Sequence, residues 1–561
     1  FQTVIGLEIH AQLDITTKLF SGCPIDSSSS NRTGRSSKNL KPNTSVWPFD
    51  VGVPGFLPRL SEEAVRSAVL AAGAMKCYLP PVSRFERKHY FYADAPLGYQ
   101  VTQQRWPIAR DGILTCHYGS NGSNSNSNNN RKKKKKNQQQ KSDDNNNKFI
   151  LRIERIQLEQ DTGKTLADVK NPITLRKESL VDFNRAGRAL IEIVSHPDLR
   201  SSTEAAIAVE TIRNLLKHIG TCDGKMEEGS LRCDLNVSIA PIIIDSNNET
   251  EIDIDGNDII SKTGNRVEVK NLNSIRQVQL AAEYEAIRQS QAILLDNSPT
   301  SQETRTFDVK GNRTVVIRTK EGAKDYRFMP EPDLPPLILN EETLDEKDVE
   351  TYLDIHLPEL PDDARQRLVD DYGLSEYLAS VLTGDPPAIE FFDESISGTV
   401  ANLLCNELFA LVREFELQRL IEEGLVDIGG GGGGGDSSSI RFSRVTGSQL
   451  GEVVALLLKG LISNTMAKQL LRALYTTRPT KTISPRKLAL ERGFQLITDT
   501  EKLDALCRET IENSPREMER YKLGGKFAKK ITKFLLGKAM GTSRGNAHPE
   551  RLQEVLVEIL N

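Results

Sequence analysis

Residues Met226–Ser238 read Met-Glu-Glu-Gly-Ser-Leu-Arg-Cys-Asp-Leu-Asn-Val-Ser. In extended backbone alternate side chains share a face. Arg232, Asp234 and Asn236 therefore project together, opposite Leu231, Cys233, Leu235 and Val237. The same spacing recurs at Glu8 and His10, Glu268 and Lys270, Arg318 and Lys320, Asp325 and Arg327, and Glu331 and Asp333. Glu159 and Asp161 close another apolar segment, and Glu192 interrupts Leu190-Ile-Glu-Ile-Val194. A buried carboxylate is costly unless it is paired or bound to a metal. Oxygen ligands with one imidazole suit Mg²⁺ or Mn²⁺ better than zinc. Interleaved Arg and Lys suit phosphate oxygens. The pattern points to phosphoryl transfer from a metal-bound nucleotide, where positioning and charge neutralisation carry the catalysis. Taken singly, each residue has a plainer reading: His10 as a structural histidine, Glu227 and Glu228 as a solvated turn, Glu192 as half of a salt bridge. Recurrence on so many apolar segments favours a site.

Other chemistries find no support. Gly163-Lys-Thr165 resembles the end of a phosphate-binding loop, but Leu158 stands where its first glycine is required. HExxH is missing. The seven cysteines form no CxxC pair and are expected as reduced thiols. No run of about twenty apolar residues predicts a membrane span. With a net charge of −4, nucleic-acid contact must come from a local basic patch. The chain opens at Phe1 rather than Met, so it is expected to be processed or truncated, with any targeting peptide out of view.

The elements that must position these residues are mixed in type. Thr3–Leu13 and Phe149–Leu158 alternate as strands. Ser201-Ser-Thr-Glu204 is a capping box, and Ile207, Ile212, Leu215, Leu216 and Ile219 form a helical stripe ending at Gly220. A second helix is expected from about Ser274 to Leu295. Strands that do not alternate strictly with helices indicate an α+β domain around an antiparallel or mixed sheet. Beyond Leu337 the pattern is helical. The expected organisation is a catalytic domain over 1–338, a helical middle domain over 339–428, a Gly/Ser linker over 429–439 and a helical region over 440–561. A Ser/Asn/Lys-rich insert at about 118–148, with its Lys132–Lys136 block, is expected to be disordered.

At this point the motifs resemble one family, the B subunits of glutamyl-tRNA(Gln) amidotransferase, with the E subunit of the archaeal enzyme as a close relative. The matching segments, in family order, are Val4-Ile-Gly-Leu-Glu-Ile-His-Ala-Gln-Leu13, Thr17-Lys-Leu-Phe20, Tyr90-Phe-Tyr92, Pro96-Leu-Gly-Tyr-Gln100, Leu158-Glu-Gln-Asp-Thr-Gly-Lys164, Ser179-Leu-Val-Asp-Phe-Asn-Arg185, Leu190–Ser195, Met226–Ser238, Val267–Ser274, Gln302-Glu-Thr-Arg305 and Asp325–Pro336. Ile462-Ser463, Ala467-Lys468 and Asn513–Asn546 resemble the family's YqeY-like tail. The resemblance implies a cradle-like catalytic domain around an antiparallel sheet, related to glutamine synthetase and guanido kinases, then an all-α middle region and the YqeY-like tail. It implies that ATP and Mg²⁺ phosphorylate the γ-carboxylate of glutamate on tRNA(Gln), after which ammonia displaces phosphate.

Carried over by position, Glu8, His10, Glu228, Asp234 and Lys270 are the candidate catalytic residues. Glu8, His10, Glu159, Gln160, Glu192 and Glu268 are the candidate metal ligands. Arg232, Arg305, Arg318 and Arg327 are candidates for holding phosphate, and Glu8, His10, Glu228 and Glu268 are expected to converge. Many relatives carry two adjacent glutamates where this chain has Glu159-Gln160; the second is a metal ligand there, and Gln160 brings no charge. Some relatives carry a zinc knuckle within Leu19–Pro58; only Cys23 remains here, so no zinc is expected. The amidase signature is missing, so a separate amidase (glutaminase) subunit is expected to supply ammonia, with a small third subunit of the amidotransferase complex. The basic cluster around Arg520, Lys522, Lys526 and Lys530 is the expected grip on the tRNA body. Two rival readings are a free-standing ammonia ligase acting on a small carboxylate and a catalytically silent tRNA-binding scaffold. The family's eukaryotic members work in mitochondria or plastids, and the mitochondrial matrix is the expected location.

Overall fold

The computed structural model describes residues 1–25, 41–118, 148–240, 264–296, 300–319, 326–395, 398–422, 440, 443–476, 484–494, 496–497, 499–521, 525–543 and 546–560. The Lys-rich insert, the Gly/Ser linker, Lys320, Asp325 and Lys522 lie outside them. Contacts divide the chain into two units, Phe1–Leu360 and Pro361–Asn561.

The first unit is built on an eight-stranded sheet. In chain order its strands, with the smaller ones, are β1 (Gln2–Gln12), β2 (Val82–Ser83), β3 (Glu86–His89), β4 (Tyr99–Thr102), β5 (Ala109–His117), β6 (Lys148–Gln160), β7 (Lys164–Lys170), β8 (Lys177–Asp182), β9 (Ala189–Ser195), β10 (Leu231–Ala240), β11 (Val267–Leu272), β12 (Glu303–Asp308), β13 (Arg313–Thr319), β14 (Met329–Pro330) and β15 (Leu337–Ile338). The large sheet runs β13-β12-β11-β10-β1-β9-β6-β5; β14-β3-β4, β15-β2 and β7-β8 form smaller sheets. Strand β1 is central because Ile5, Leu7, Ile9 and Ala11 alternate along it and are all buried. It pairs antiparallel with β10 on one side and β9 on the other.

Helices α1 (Glu62–Ala74), α2 (Ser202–His218) and α3 (Ile275–Asp296) contribute to the same core. Half of the capping box forms: Glu204 N donates to Ser201 Oγ at 3.1 Å, while the Glu204 carboxylate accepts from Arg200 N at 2.7 Å instead of from Ser201 N. Val209, Ile212 and Leu216 of α2, with Val278 and Ala282 of α3, join Leu7, Ile9, Leu235 and Val237 in that core. Each such burial contributes about 1.5–3 kcal/mol. An all-antiparallel sheet is not what forms. β11 and β12 run parallel, because α3 crosses between them and returns the chain in the same direction. The first unit runs on past Ile338, since Leu344 and Tyr352 pack into its core.

One buried network fastens the β12–β13 edge to α3. Glu285, fully buried, receives Arg288 Nη2 at 2.8 Å and Arg305 Nε at 3.2 Å, and Thr314 Oγ1 donates to the same carboxylate. Arg305 also donates to Thr314 Oγ1 at 2.8 Å and to its main-chain oxygen at 3.0 Å.

The second unit is helical, apart from a bridge between Ile497 and Ala547. One cluster gathers Leu368, Phe392, Leu404, Val412, Leu450, Leu470 and Tyr475; another gathers Leu503, Cys507, Leu535, Ala539, Leu552 and Leu556. Among the described residues, no helix is long and apolar enough to cross a membrane.

Glu285→Leu is expected to cost about 1–3 kcal/mol, because Arg288, Arg305 and Thr314 lose their shared buried acceptor while Glu303, 2.5 Å from Arg305 Nη1, still pairs with Arg305. Urea unfolding followed by tryptophan fluorescence reads the loss; a change under about 1 kcal/mol would contradict the network's role.

Candidate functional site

The register of β1 assembles the site. His10 lies opposite Arg232 on β10 and Glu192 on β9, and Glu192 lies opposite Gln157 on β6. Two residues earlier, Glu8 faces Asp234. Asn236 faces Glu268 on β11, Glu268 faces Thr304 on β12, and Thr304 faces Arg318 on β13. Directly paired residues share a face, so a polar row crosses the sheet on the side away from Ile9 and Leu235. A slip of β1 by one residue would send all of it into the core.

Among the described residues, two groups each hold potential ligand atoms within 4.8 Å of one another: His10, Glu159 and Glu192 in one, and Glu8, Asp234 and Glu268 in the other. In the first, His10 Nε2 is 3.7 Å from Glu192 Oε2, which accepts from Gln157 Nε2 at 2.9 Å. Glu159 Oε1 accepts from Gln100 Nε2 at 3.3 Å, while its Oε2 is buried without a hydrogen-bond partner. Burial lowers the His10 pKa below 6.5 and outweighs the pull of Asp234 and Glu159, leaving a neutral imidazole with a lone pair. Burial, with help from Glu8 and Asp234, raises Glu192 above 4.5 against the opposing Lys88 and Arg155.

The second group is partly neutralised from within the chain. Lys270 Nζ lies 2.8 Å from both Asp234 Oδ2 and Glu268 Oε1. Burial opposes its charge, but the two carboxylates win and push its pKa up. Asn236 Nδ2 donates to Glu8 Oε1 at 2.9 Å, and Thr304 Oγ1 to Glu268 Oε2 at 3.1 Å. Arg318 Nε reaches Thr304 Oγ1 at 3.4 Å. Arg232 Nη2 donates to Asp161 Oδ1 at 3.2 Å, and its Nε is buried without a hydrogen-bond partner. Burial opposes the Asp161 charge, but Arg232 and Arg185 hold its carboxyl below the usual range.

The structure therefore brings together Glu8, His10, Glu159, Glu192, Asp234, Glu268, Lys270, Arg232 and Arg318. Four candidates do not join them. Glu228 ends an exposed turn, lies 3.8 Å from Lys225 Nζ and is in neither group, while His10 falls in one group and Glu8 and Glu268 in the other. Gln160 is one residue out of phase with Glu159, and its amide donates to Tyr99 O at 3.4 Å. Arg305 pairs with Val269, on the helix side of the sheet, and is tied to Glu285. Arg327 is exposed at φ +42°, and its main-chain oxygen lies 2.8 Å from His89 Nδ1. Glu331 and Asp333 bind Arg87 at 2.7 and 2.9 Å and fasten the segment after β14 to β3. In the second unit Arg520 and Lys530 are exposed, and the Lys526 side chain lies outside the described residues.

Sequence reasoning missed Lys88. Its Nζ lies 3.7 Å from Glu159 Oε2 and 5.5 Å from the Tyr326 ring. Burial opposes its charge, yet Glu159 and Glu192 raise its pKa. The only signal was the wholly polar run Glu86-Arg-Lys-His89, too charged for a core strand.

Carboxylates and a neutral imidazole facing ammonium and guanidinium groups define a class: an α+β protein whose sheet can hold a divalent cation beside an anion. Comparison with known proteins narrows the class. The chain belongs to the GatB/GatE family: the GatB/GatE catalytic domain matches residues 3–345 and the GatB domain matches residues 434–560. It is 37% identical to the mitochondrial glutamyl-tRNA(Gln) amidotransferase B subunit of Phytophthora infestans, over all of this chain and 95% of the relative. It is 35% identical to the aspartyl/glutamyl-tRNA(Asn/Gln) amidotransferase B subunit of Persephonella marina and 34% identical to that of Thermotoga maritima, each over all of this chain and 99% of the relative.

The raised pKa of Glu192 has a measurable sign. Without a bound cation, the folded state holds that proton more tightly than the unfolded chain. The resulting stability is complete below pH 4.5 and is lost as pH rises through the shifted value. Glu192→Gln is therefore expected to match the parent at low pH and to be the more stable of the two at pH 8 in chelator. Denaturant titrations at the two pH values read this; a difference that does not change with pH would contradict it.

Proposed function

We propose that this chain converts Glu-tRNA(Gln) to Gln-tRNA(Gln), as the B subunit of a glutamine-hydrolysing amidotransferase, a carbon–nitrogen ligase of translation. A γ-carboxylate oxygen of the tRNA-bound glutamate attacks the terminal phosphorus of ATP, and ADP leaves. Ammonia then attacks the acyl carbon, and phosphate leaves. The supporting observation is the convergence of two acidic groups with Lys88, Lys270 and Arg232 on one sheet face. The open polar side of the sheet serves as a cradle of the kind shared with glutamine synthetase and guanido kinases.

His10, Glu159 and Glu192 are the groups that fit Mg²⁺: one neutral imidazole, two carboxylates and an orphaned buried oxygen on Glu159. Bound there, Mg²⁺ neutralises phosphate oxygens. The chain's own cations do the rest. Arg232, with a buried unbonded Nε beside Asp161, would take one phosphate oxygen, Lys88 another beside Glu159, and Arg318 stands at the far end of the row beside Thr304. Lys270 bridges Asp234 and Glu268 in the resting site. Were Lys270 to move onto phosphate, Asp234 and Glu268, beside Glu8, would be left able to hold a second cation.

Ammonia comes from a separate amidase subunit, with a small third subunit completing the complex. The second unit, through Arg520, Lys522, Lys526 and Lys530, grips the tRNA body. The complex works in mitochondria, in the matrix, as the name of the Phytophthora relative supports.

ATP hydrolysis by the complex is expected to require Glu-tRNA(Gln), to ignore free glutamate, and to fall at least about 100-fold in His10→Ala. Hydrolysis driven by free glutamate would instead support the small-carboxylate ligase. Hydrolysis unaffected by His10→Ala would make this chain a tRNA-binding scaffold.

A further inference from the structure

Strands β7 and β8 leave the site as a separate ribbon. β7 begins at Lys164, three residues after Asp161, and the two strands pair only with each other. The base is tightly fixed. Arg185 donates to Thr162 O at 2.9 Å and to Gly163 O at 2.7 Å, and Gly163 N donates to Asp94 O at 2.8 Å. Asp182 accepts from the main-chain N of Asn43 and Asn184 at 3.0 Å each. The tip is ordered as well: Asn171 Oδ1 accepts from Ile173 N at 2.8 Å and Thr174 N at 3.1 Å, and Asn171 Nδ2 donates to Glu178 at 2.8 Å.

This well-built ribbon has no core. Leu166 and Leu180 face each other and are both exposed; Ile173 and Leu175 at the tip are 89% and 67% exposed. A two-stranded ribbon alone in water is at best marginal. Its charges are also unbalanced. Lys170 and Arg176 have no acidic partner among the described residues, and Lys170 lies directly opposite Lys177, whereas Lys164 lies opposite Asp182. Like charges so placed repel. Lys177 has only the exposed Asp168, at 3.4 Å. Glu178 and Asp182, the ribbon's other acids, are engaged by Asn171 and by loop amides. Such an arrangement is relieved by an external anion running along the ribbon.

We propose that the β7–β8 ribbon is a docking arm for an RNA backbone, laid along the acceptor stem of the tRNA whose 3′ end enters the site. The arm rests on the tRNA-amidotransferase reading and extends it. At about 3.3 Å per residue, the seven residues of β7 reach about 23 Å from the site's edge. Its contacts are with phosphate and sugar and carry no sequence information. A protein partner is the other conceivable occupant; the unpaired cations favour a polyanion.

The test uses the full chain in complex with its amidase partner. Its probes are tRNA(Gln) and a minihelix carrying only the acceptor arm. The triple variant K170Q/R176Q/K177Q, exposed throughout, is expected to bind both RNAs at least about tenfold more weakly, with a salt slope reduced by about 3. K170R/K177R is expected to bind like the parent. Unchanged minihelix affinity and salt slope, in a complex whose parent amidates Glu-tRNA(Gln), would overturn the arm alone. Loss of the amidase from the complex with minihelix binding intact would overturn it in favour of a protein partner. Failure of the parent to bind either RNA would overturn both the arm and the reading beneath it.

Discussion

Five carboxylates on neighbouring strands of one sheet face must be neutralised, and the rest of the first unit is arranged around that requirement. Glu159, Glu192, Asp234 and Glu268 are buried, and Glu8 is half-buried. Inside a protein, uncompensated acids at this spacing are strongly destabilising. The chain supplies some of the compensation itself, through Lys88 and Lys270. It leaves the rest undone: Glu159 Oε2 has no hydrogen bond, and Glu192 holds its proton more tightly than an ordinary carboxyl. A structural ion-pair network would close these gaps. The proposed cation would fill them.

The two acidic groups differ in how nearly they are balanced. Around His10 the imidazole is neutral and Lys88 sits at 3.7 Å from Glu159, so a divalent cation meets little competition. Around Asp234, Lys270 already stands at 2.8 Å from two acids. A cation entering there must displace an ammonium, and incoming phosphate is the natural receiver of that ammonium. Metal and anion binding are then coupled through one lysine, which suits a site that must act only when the nucleotide is in place.

Much of this was legible from local pattern. The alternation of Glu8 and His10 with Ile5, Leu7 and Ile9 places the acids on one face by backbone geometry alone, and the same holds for Arg232, Asp234 and Asn236. The α2 N-cap and its stripe needed no tertiary information. What failed was long-range or depended on register. Arg305 alternates with Thr304, whose side chain faces the acids, and so turns to the helix side beside Val269. Lys88 reaches the acids from a different sheet, so no spacing along the chain announces it. Glu331 and Asp333 shared the spacing of a ligand pair, yet Arg87 claims both. Gln160, expected from the resemblance to stand at a ligand position, is out of phase with that face, while Glu159 lies in the group with His10.

The central claim is that His10, Glu159 and Glu192 hold a divalent cation. Electron–nuclear double resonance of the Mn²⁺-loaded chain, labelled with ¹⁵N-histidine, addresses it most directly. The expected spectrum shows coupling to one imidazole nitrogen that disappears in His10→Ala, with Mn²⁺ affinity reduced in Glu159→Gln. Tight Mn²⁺ binding with no nitrogen coupling, or binding indifferent to Glu159→Gln, would contradict it.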